Sequence, residues 1–167
     1  MKVPIPSWSA FSKTKITDLE TLLYTLKNRG SKTLSTLNGS FDLLHAGHLH
    51  ILYEASQQAD ILVVALNTDA SIKRYKSPDR PIVPLQERME MVAALGFVDF
   101  VTWFEEDDPC ALLEKVCPDV HVNGSEYGHD CIEAKVVQKH GGKIHIVEKI
   151  PGLSTSQIIS KIKKLCD

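Results

Sequence analysis

An α/β fold, a doubly wound parallel sheet of about five strands with helices on both faces, is what this sequence predicts. Three observations lead to it. Short apolar runs of strand length alternate with segments of helical apolar spacing from residue 16 onward. The clearest run, 61–66, is continuously apolar, as in a strand buried on both faces. No repeat or low-complexity block interrupts the alternation, so strand–helix–strand crossovers connect the elements. At 167 residues and 43% hydrophobic content, one domain with a proper core is expected.

Residues 1–15 carry Pro4, Pro6 and scattered serines without a signal-peptide core, and read as a poorly ordered or surface-draped arm before a domain at 16–167. Thr17 and Glu20 read as a capping box opening a helix with Leu19, Leu22, Leu23 and Leu26 inward, ended by Gly30. The β-branched run 33–37 is the first strand. Leu49, Leu52, Tyr53 and Ala59 follow at helical spacing, predicting a helix to about Gln58. After the second strand, 61–66, residues 67–69 read as the cap of a short helical turn carrying Lys73 and Arg74. Proline and charge make 75–84 a loop. Residues 85–95 read as helix with Leu85, Met89, Val92 and Leu95 inward, and 97–103 as the third strand. Asp107 or Asp108 caps a helix to Val116, with Pro109 tolerated in its first turn. Residues 119–122 form the fourth strand, 132–140 a helix, 143–147 the fifth strand and 154–165 the last helix. In such sheets ligands sit beyond the carboxyl ends of the strands. The stretches 37–50, Asn67, Asn123-Gly124 and 152–155 all fall there.

The stretch 37–50, Leu-Asn-Gly-Ser-Phe-Asp-Leu-Leu-His-Ala-Gly-His-Leu-His, crosses from the first strand to a helix. Gly39 lets the chain leave the strand sharply. Gly47 leaves the first helical turn without a side chain, so a ligand can approach the backbone. His45 and His48, three apart, present both imidazoles on one side. Free N–H groups and the helix dipole attract anions there. A single histidine at such a point is usually solvated or capping; two framing Ala46-Gly47 favour a phosphate site. Metal is the weaker alternative, because Asp42 is the only obvious third ligand. His50 reads as surface.

Charge and composition narrow the partners. Net charge is −2, and the basic block 161–164 is the longest, which argues against a nucleic-acid surface. The apolar runs are too short to span a bilayer. The four cysteines show no Cys-x-x-Cys spacing, so free thiols in a reducing cytoplasm are expected.

The string Gly-Ser-Phe-Asp-Leu-Leu-His-Ala-Gly-His, 39–48, resembles the first motif of nucleotidyltransferases carrying a His-x-Gly-His element, a superfamily with Rossmann-like folds that includes the cytidylyltransferases. The resemblance runs from about 16 to 165. It implies transfer of a nucleotidyl group from a nucleoside triphosphate to a phosphate acceptor, with release of pyrophosphate. His45, His48 and Lys73 are then the catalytic suppliers of positive charge or hydrogen bonds. Lys76 stands behind Lys73. Gly39, Ser40, Phe41, Asp42, Gly47, Asn123, Gly124, Ser154 and Thr155 bind nucleotide, and Asp42, Arg88, Glu126 and Tyr127 bind the acceptor. Without the resemblance, Lys73 and Arg74 are a solvated basic turn, Arg88 a surface ion pair, Asn123-Gly124 a plain turn, and Ser154 with Gln157 an ordinary cap.

The segments 67–71, 80–82 and 153–156 are most similar to heptose 1-phosphate adenylyltransferases, which serve lipopolysaccharide synthesis and are often fused to a kinase. By that likeness this is a free-standing cytoplasmic enzyme that transfers AMP from ATP, with Mg2+ carried on the nucleotide phosphates and no metal held by the protein; a homodimer is left open. Two departures stand out. Lys149 sits where glycerol-3-phosphate cytidylyltransferases carry arginine, which weakens the alternative of CDP-glycerol synthesis from CTP. Asn123 replaces a lysine common in the heptose enzymes, which bears on the acceptor. A non-catalytic nucleotide sensor on the same fold is the alternative from another class.

Overall fold

The computed structural model describes residues 7, 8, 10 and 14–166. Five strands, β1 (Leu34–Gly39), β2 (Ile61–Asn67), β3 (Phe100–Phe104), β4 (Val120–Gly124) and β5 (Lys143–Val147), form one sheet in the order β3-β2-β1-β4-β5. Every pairing is parallel, as the strand–helix alternation requires.

Because side chains alternate along a strand, the sheet buries two separate apolar faces. On one, Leu37, Leu62, Val64, Leu66 and Val122 meet Leu52 and Ala55 of α2 (Ala46–Ser56) and Met89 and Val92 of α4 (Leu85–Ala93). On the other, Leu34, Ile61, Val63, Ala65 and Phe104 meet α1 (Leu19–Lys27), α5 (Cys110–Val116) and α6 (Ala134–Lys139). Leu22 and Leu52, one on each side, are wholly buried; truncating either to alanine removes roughly 2–5 kcal/mol.

Element boundaries differ from expectation for identifiable reasons. Asp18, not Thr17, caps α1: its carboxylate accepts from Thr21 N at 2.9 Å and Thr21 Oγ1 at 3.0 Å. The helix closes at Asn28, and Gly30 takes its positive φ in the turn beyond. β1, β2 and β4 continue through polar residues to Gly39, Asn67 and Gly124, because neighbouring strands supply ladder partners that turn propensity ignores. β3 starts at Phe100 rather than 97, since Asp99 uses its carboxylate to accept from Leu62 N and Phe97 stands edge-on to Tyr53. Pro109 takes the N-cap position of α5, and Asp108 accepts from Cys110 N at 2.9 Å. α6 is shorter than the expected 132–140. α3 (Asp69–Tyr75), capped by Thr68, and α7 (Thr155–Cys166) complete the fold.

Most of the expected arm lies outside the described residues. Of it, Trp8 donates to Glu90 Oε2, and Lys15 meets the edge of β3, its carbonyl accepting from Val101 N at 2.8 Å. No helix among the described residues is long and apolar enough to cross a membrane.

One feature of the register positions the site. The β1–β4 ladder ends at Leu37 against Val122, while β1 stays paired to β2 through Gly39 and β4 to β5 through Gly124. The two central strands therefore part at their carboxyl ends. That is also where the strand order reverses, the place an open α/β sheet offers for a ligand.

Candidate active site

A cleft of about 260 Å³ opens at that parting. Its floor is the loop joining β1 to α2. Phe41 (φ 46°) and Leu43 (φ 50°) are both left-handed, which costs roughly 1–2 kcal/mol each for residues with a Cβ. The residue between them holds the loop in place. Asp42 is wholly buried and accepts from Arg80 Nε at 2.7 Å, Ile82 N at 3.0 Å and Val83 N at 2.9 Å. Burial alone would raise its pKa, but those donors outweigh it and hold the carboxyl below its ordinary value. Asp42 thus faces the 80–83 loop and does not line the cleft, contrary to its expected contact with nucleotide and acceptor. Gly39 is needed here for close approach: a Cβ would lie 3.2 Å from the Phe41 ring.

His45 is the N-cap of α2, its Nδ1 accepting from Gly47 N at 3.1 Å and His48 N at 3.4 Å. An acceptor Nδ1 assigns the proton of the neutral ring to Nε2. The capping role does not compete with a phosphate role, because the other ring nitrogen keeps its N–H. His48 stacks on His45 with centroids 3.8 Å apart and meets Phe41 edge-on at 5.4 Å. Its Nδ1 is buried without a partner. Burial, then the repulsion that a protonated His45 and Lys76 would exert, lowers the His48 pKa to about 4, and burial also lowers that of His45. Both rings are neutral near pH 7. Gly47 makes room for protein as well as for a ligand: a Cβ there would meet the His45 ring at 3.0 Å and Leu153 Cβ at 3.2 Å.

Two lysines line the cleft, Lys149 on the β4–β5 wall and Lys76 on the side of the β1–α2 loop. Lys76 Nζ donates to Ser40 Oγ at 2.8 Å and lies 5.6 Å from the Tyr75 ring centroid. Burial, then Arg80, lowers its pKa. Lys73 is exposed on α3 and does not line the cleft. Lys76, also exposed, is the C-cap of that helix and reaches across to Ser40 at the cleft.

Arg88 also differs from expectation. It has no exposed surface, and its guanidinium donates to Val83 O, Ser40 O, Asn67 O and Asp69 Oδ1. It ties together four segments around the cleft and does not line it. A buried arginine needs several acceptors, and carbonyls at strand ends supply them.

The opposite wall comes from β4 and β5. Asn123, Gly124, Glu126 and Tyr127 line it, with Glu126 ion-paired to Lys149 at 2.7 Å. A Cβ on Gly124 would collide with Glu126 Oε2 at 2.2 Å, so glycine permits this folding-back. Ser154 and Thr155 close the third side at the start of α7; Ser154 Oγ accepts from Gln157 N at 3.3 Å, and Thr155 Oγ1 donates to Asp42 O at 2.9 Å. The cleft lining also includes Ser40, Phe41, His45, Gly47 and His48.

Asn38, Lys149 and His50 line the cleft without having been expected to. Asn38 lies just past the expected end of the first strand, and His50, read as surface, is half-buried and borders the cleft. Among the described residues no group of three or more His, Cys, Asp or Glu side chains is arranged to hold a metal ion. What the arrangement can do is gather N–H donors and the Lys76 ammonium at one end of a cleft whose far wall is amide, aromatic and the Glu126–Lys149 ion pair. That suits a polyanion joined to an uncharged, hydrogen-bonding body.

Residues 36–162 match the cytidylyltransferase-like family. The bifunctional protein HldE of Azotobacter vinelandii is 43% identical over 157 residues, covering 92% of this chain and 33% of that protein. The bifunctional protein HldE of Syntrophotalea carbinolica is 41% identical over 138 residues, covering 82% and 28%. This chain therefore spans about a third of the length of these relatives. Among solved structures, a lipopolysaccharide core biosynthesis protein from Thermoplasma volcanium is 27% identical with a TM-score of 0.57, covering 72% of this chain and 98% of that one.

Proposed function

The chain belongs to the cytidylyltransferase-like family, and on that premise we propose that it transfers AMP from ATP to heptose 1-phosphate, releasing pyrophosphate and leaving ADP-heptose. The observation that carries the reading is the stacked His45–His48 pair at the mouth of α2, facing Lys76 and the start of α7 across one cleft. The 41–43% identity to the bifunctional HldE proteins supports the choice of this member over a CDP-glycerol enzyme. So does Lys149 in place of the cytidylyltransferase arginine. The catalytic domain is 16–167, with 1–15 as its arm.

In this reaction an acceptor phosphate oxygen forms a bond to the α-phosphorus, the bond from that phosphorus to the bridging oxygen breaks, and its electron pair leaves on pyrophosphate. The protein's share is positioning and charge stabilisation. His45 and His48 donate Nε2–H to phosphate oxygens as negative charge builds. Lys76 exchanges Ser40 for a phosphate, and the free N–H groups at the start of α7 take the remaining phosphate oxygens. Asp42 and Arg88 act one step back, holding the loops that carry these donors. Magnesium would be carried on the triphosphate and would supply charge neutralisation there, while Asp42 stays committed to Arg80, Ile82 and Val83. The acceptor lies toward Glu126 and Tyr127.

The test is pyrophosphate release with ATP and CTP, each against heptose 1-phosphate and glycerol 3-phosphate. ATP with heptose 1-phosphate should have the highest kcat/KM. A higher value for CTP with glycerol 3-phosphate overturns the reading, and no release with any pair favours a nucleotide sensor.

A further inference from the structure

A line of hydrogen bonds runs from the cleft to the loop between β3 and α5, and Tyr75 stands in the middle of it. Lys76 Nζ donates to Ser40 Oγ at 2.8 Å, and the Ser40 hydroxyl in turn hydrogen-bonds the Tyr75 oxygen. Tyr75 O–H donates to Asn67 Oδ1 at 3.5 Å, the longest link. On the far side of that amide, Asn67 Nδ2 donates to Ser71 Oγ at 3.2 Å and Ser71 Oγ to the Glu106 carbonyl at 2.9 Å. Every member donates in the same direction, away from the cleft, and hydrogen bonds aligned in this way polarise and strengthen one another. Asn67 and Ser71 are buried, so the far end is fixed. Burial raises the Tyr75 pKa, and the phenol keeps the proton that the line needs. The ring acts separately: its centroid lies 5.6 Å from Lys76 Nζ, within cation–π range.

We propose that Tyr75 is a positioning residue for the triphosphate: through Ser40 and through its ring it keeps the Lys76 ammonium at the cleft. The proposal rests on the reading of the cleft as a nucleotidyl-transfer site. Lys76 is an exposed lysine at a helix end, and a side chain of that length loses much rotamer freedom when a ligand recruits it. Ordering it before the ligand arrives removes part of that cost. Tyr75 itself makes no phosphate contact in this scheme. When Lys76 moves from Ser40 to a phosphate oxygen, Tyr75 still holds the Ser40 hydroxyl, and its ring stays beside the ammonium.

The experiment is a double-mutant cycle of Tyr75→Phe and Lys76→Met, read by calorimetric binding of ATP and by steady-state kinetics. Tyr75→Phe keeps the ring and removes the hydroxyl. It should weaken ATP binding about fivefold, the worth of one hydrogen bond. The kcat/KM for ATP should fall to match, while KM for the acceptor stays within about twofold of the parent. In the Lys76→Met background the same change should cost nothing further, because the ammonium it positions is gone. Tyr75→Leu, which removes the ring as well, should lose a further two- to fivefold, about the worth of an exposed cation–π contact, and again nothing without Lys76. Penalties that multiply in the double variant, no penalty with Lys76 present, or a rise in the acceptor KM alone overturns the proposal. Should Tyr75→Phe fail to fold, the cycle with Tyr75→Leu is read in the same way. If the parent binds ATP but releases no pyrophosphate with any acceptor, the transfer reading fails and the calorimetric cycle alone decides on Tyr75. If the parent binds no ATP, both fall.

Discussion

Replacing Arg88 by methionine separates two roles that sequence and structure assign to it. Methionine keeps the length and fills the volume but removes every donor, leaving Val83 O, Ser40 O, Asn67 O and the Asp69 carboxylate without their partner. Removing one side of a buried charged pair costs roughly 3–5 kcal/mol. Asp69 is 39% exposed in its side chain and can be rehydrated, which places the expected loss toward the lower end, about 3 kcal/mol. With an m-value of about 2 kcal/mol/M, the urea midpoint should fall by about 1.5 M without a change in m. Arg88→Lys supplies a point charge to one or two of the four acceptors and should recover less than half of that loss. Catalysis should fall too, because Ser40 and the loop behind it lose their tether, and nucleotide and acceptor should be affected together. Urea unfolding followed by circular dichroism, beside steady-state kinetics, reads both. A variant within about 0.5 kcal/mol of the parent whose KM rises tenfold for the acceptor alone would show that the guanidinium serves substrate rather than the loops.

Two further outcomes follow from the placement of charged groups. Lys76→Met should lower kcat/KM for ATP by one to two orders of magnitude, and Lys73→Met by less than threefold; the reverse ranking in the pyrophosphate assay returns the phosphate role to Lys73. His121 is wholly buried on β4, paired through Nδ1 to Thr36 Oγ1 at 2.7 Å with Nε2 unpartnered, and burial lowers its pKa to about 4 from 6.5. The unfolded chain then binds more protons between those values, so the stabilisation is full above pH 6.5 and is lost as pH falls toward 4, by about 3 kcal/mol from this residue. Urea midpoints across that range should fall less steeply in His121→Gln than in the parent, and equal slopes would refute the assignment.

The sheet was legible because burial on both faces leaves an unmistakable mark: 61–66 contains nothing polar, and 143–147 was located to the residue. The strand ends were not, because Asn38, Asn67 and Asn123 look like turn formers, and only the ladder to a neighbouring strand keeps them extended. The histidine pair was legible from its spacing, since three residues at a helix start stack one ring on the next. Lys73 against Lys76 was not, because the two differ by one helical turn and the choice depends on where α3 stops. Asn38 had no local signal at all; it comes to line the cleft because β1 and β4 separate there.

Asp42 and Arg88 show why chemically eager residues in a motif need not touch substrate. Both lie within the most recognisable segments, yet each spends its charge inside the protein. A free carboxylate on the floor of a triphosphate cleft would oppose the ligand, by about 4 kcal/mol for each unit charge at 4 Å under the effective dielectric of a protein surface. Pairing Asp42 with Arg80 and two backbone N–H groups removes that repulsion. The same bonds hold Phe41 and Leu43 in their left-handed conformations, and Phe41 in turn packs against His48. The anion in the motif therefore makes the cleft more favourable to anions, by fixing the loop that aims the neutral histidines.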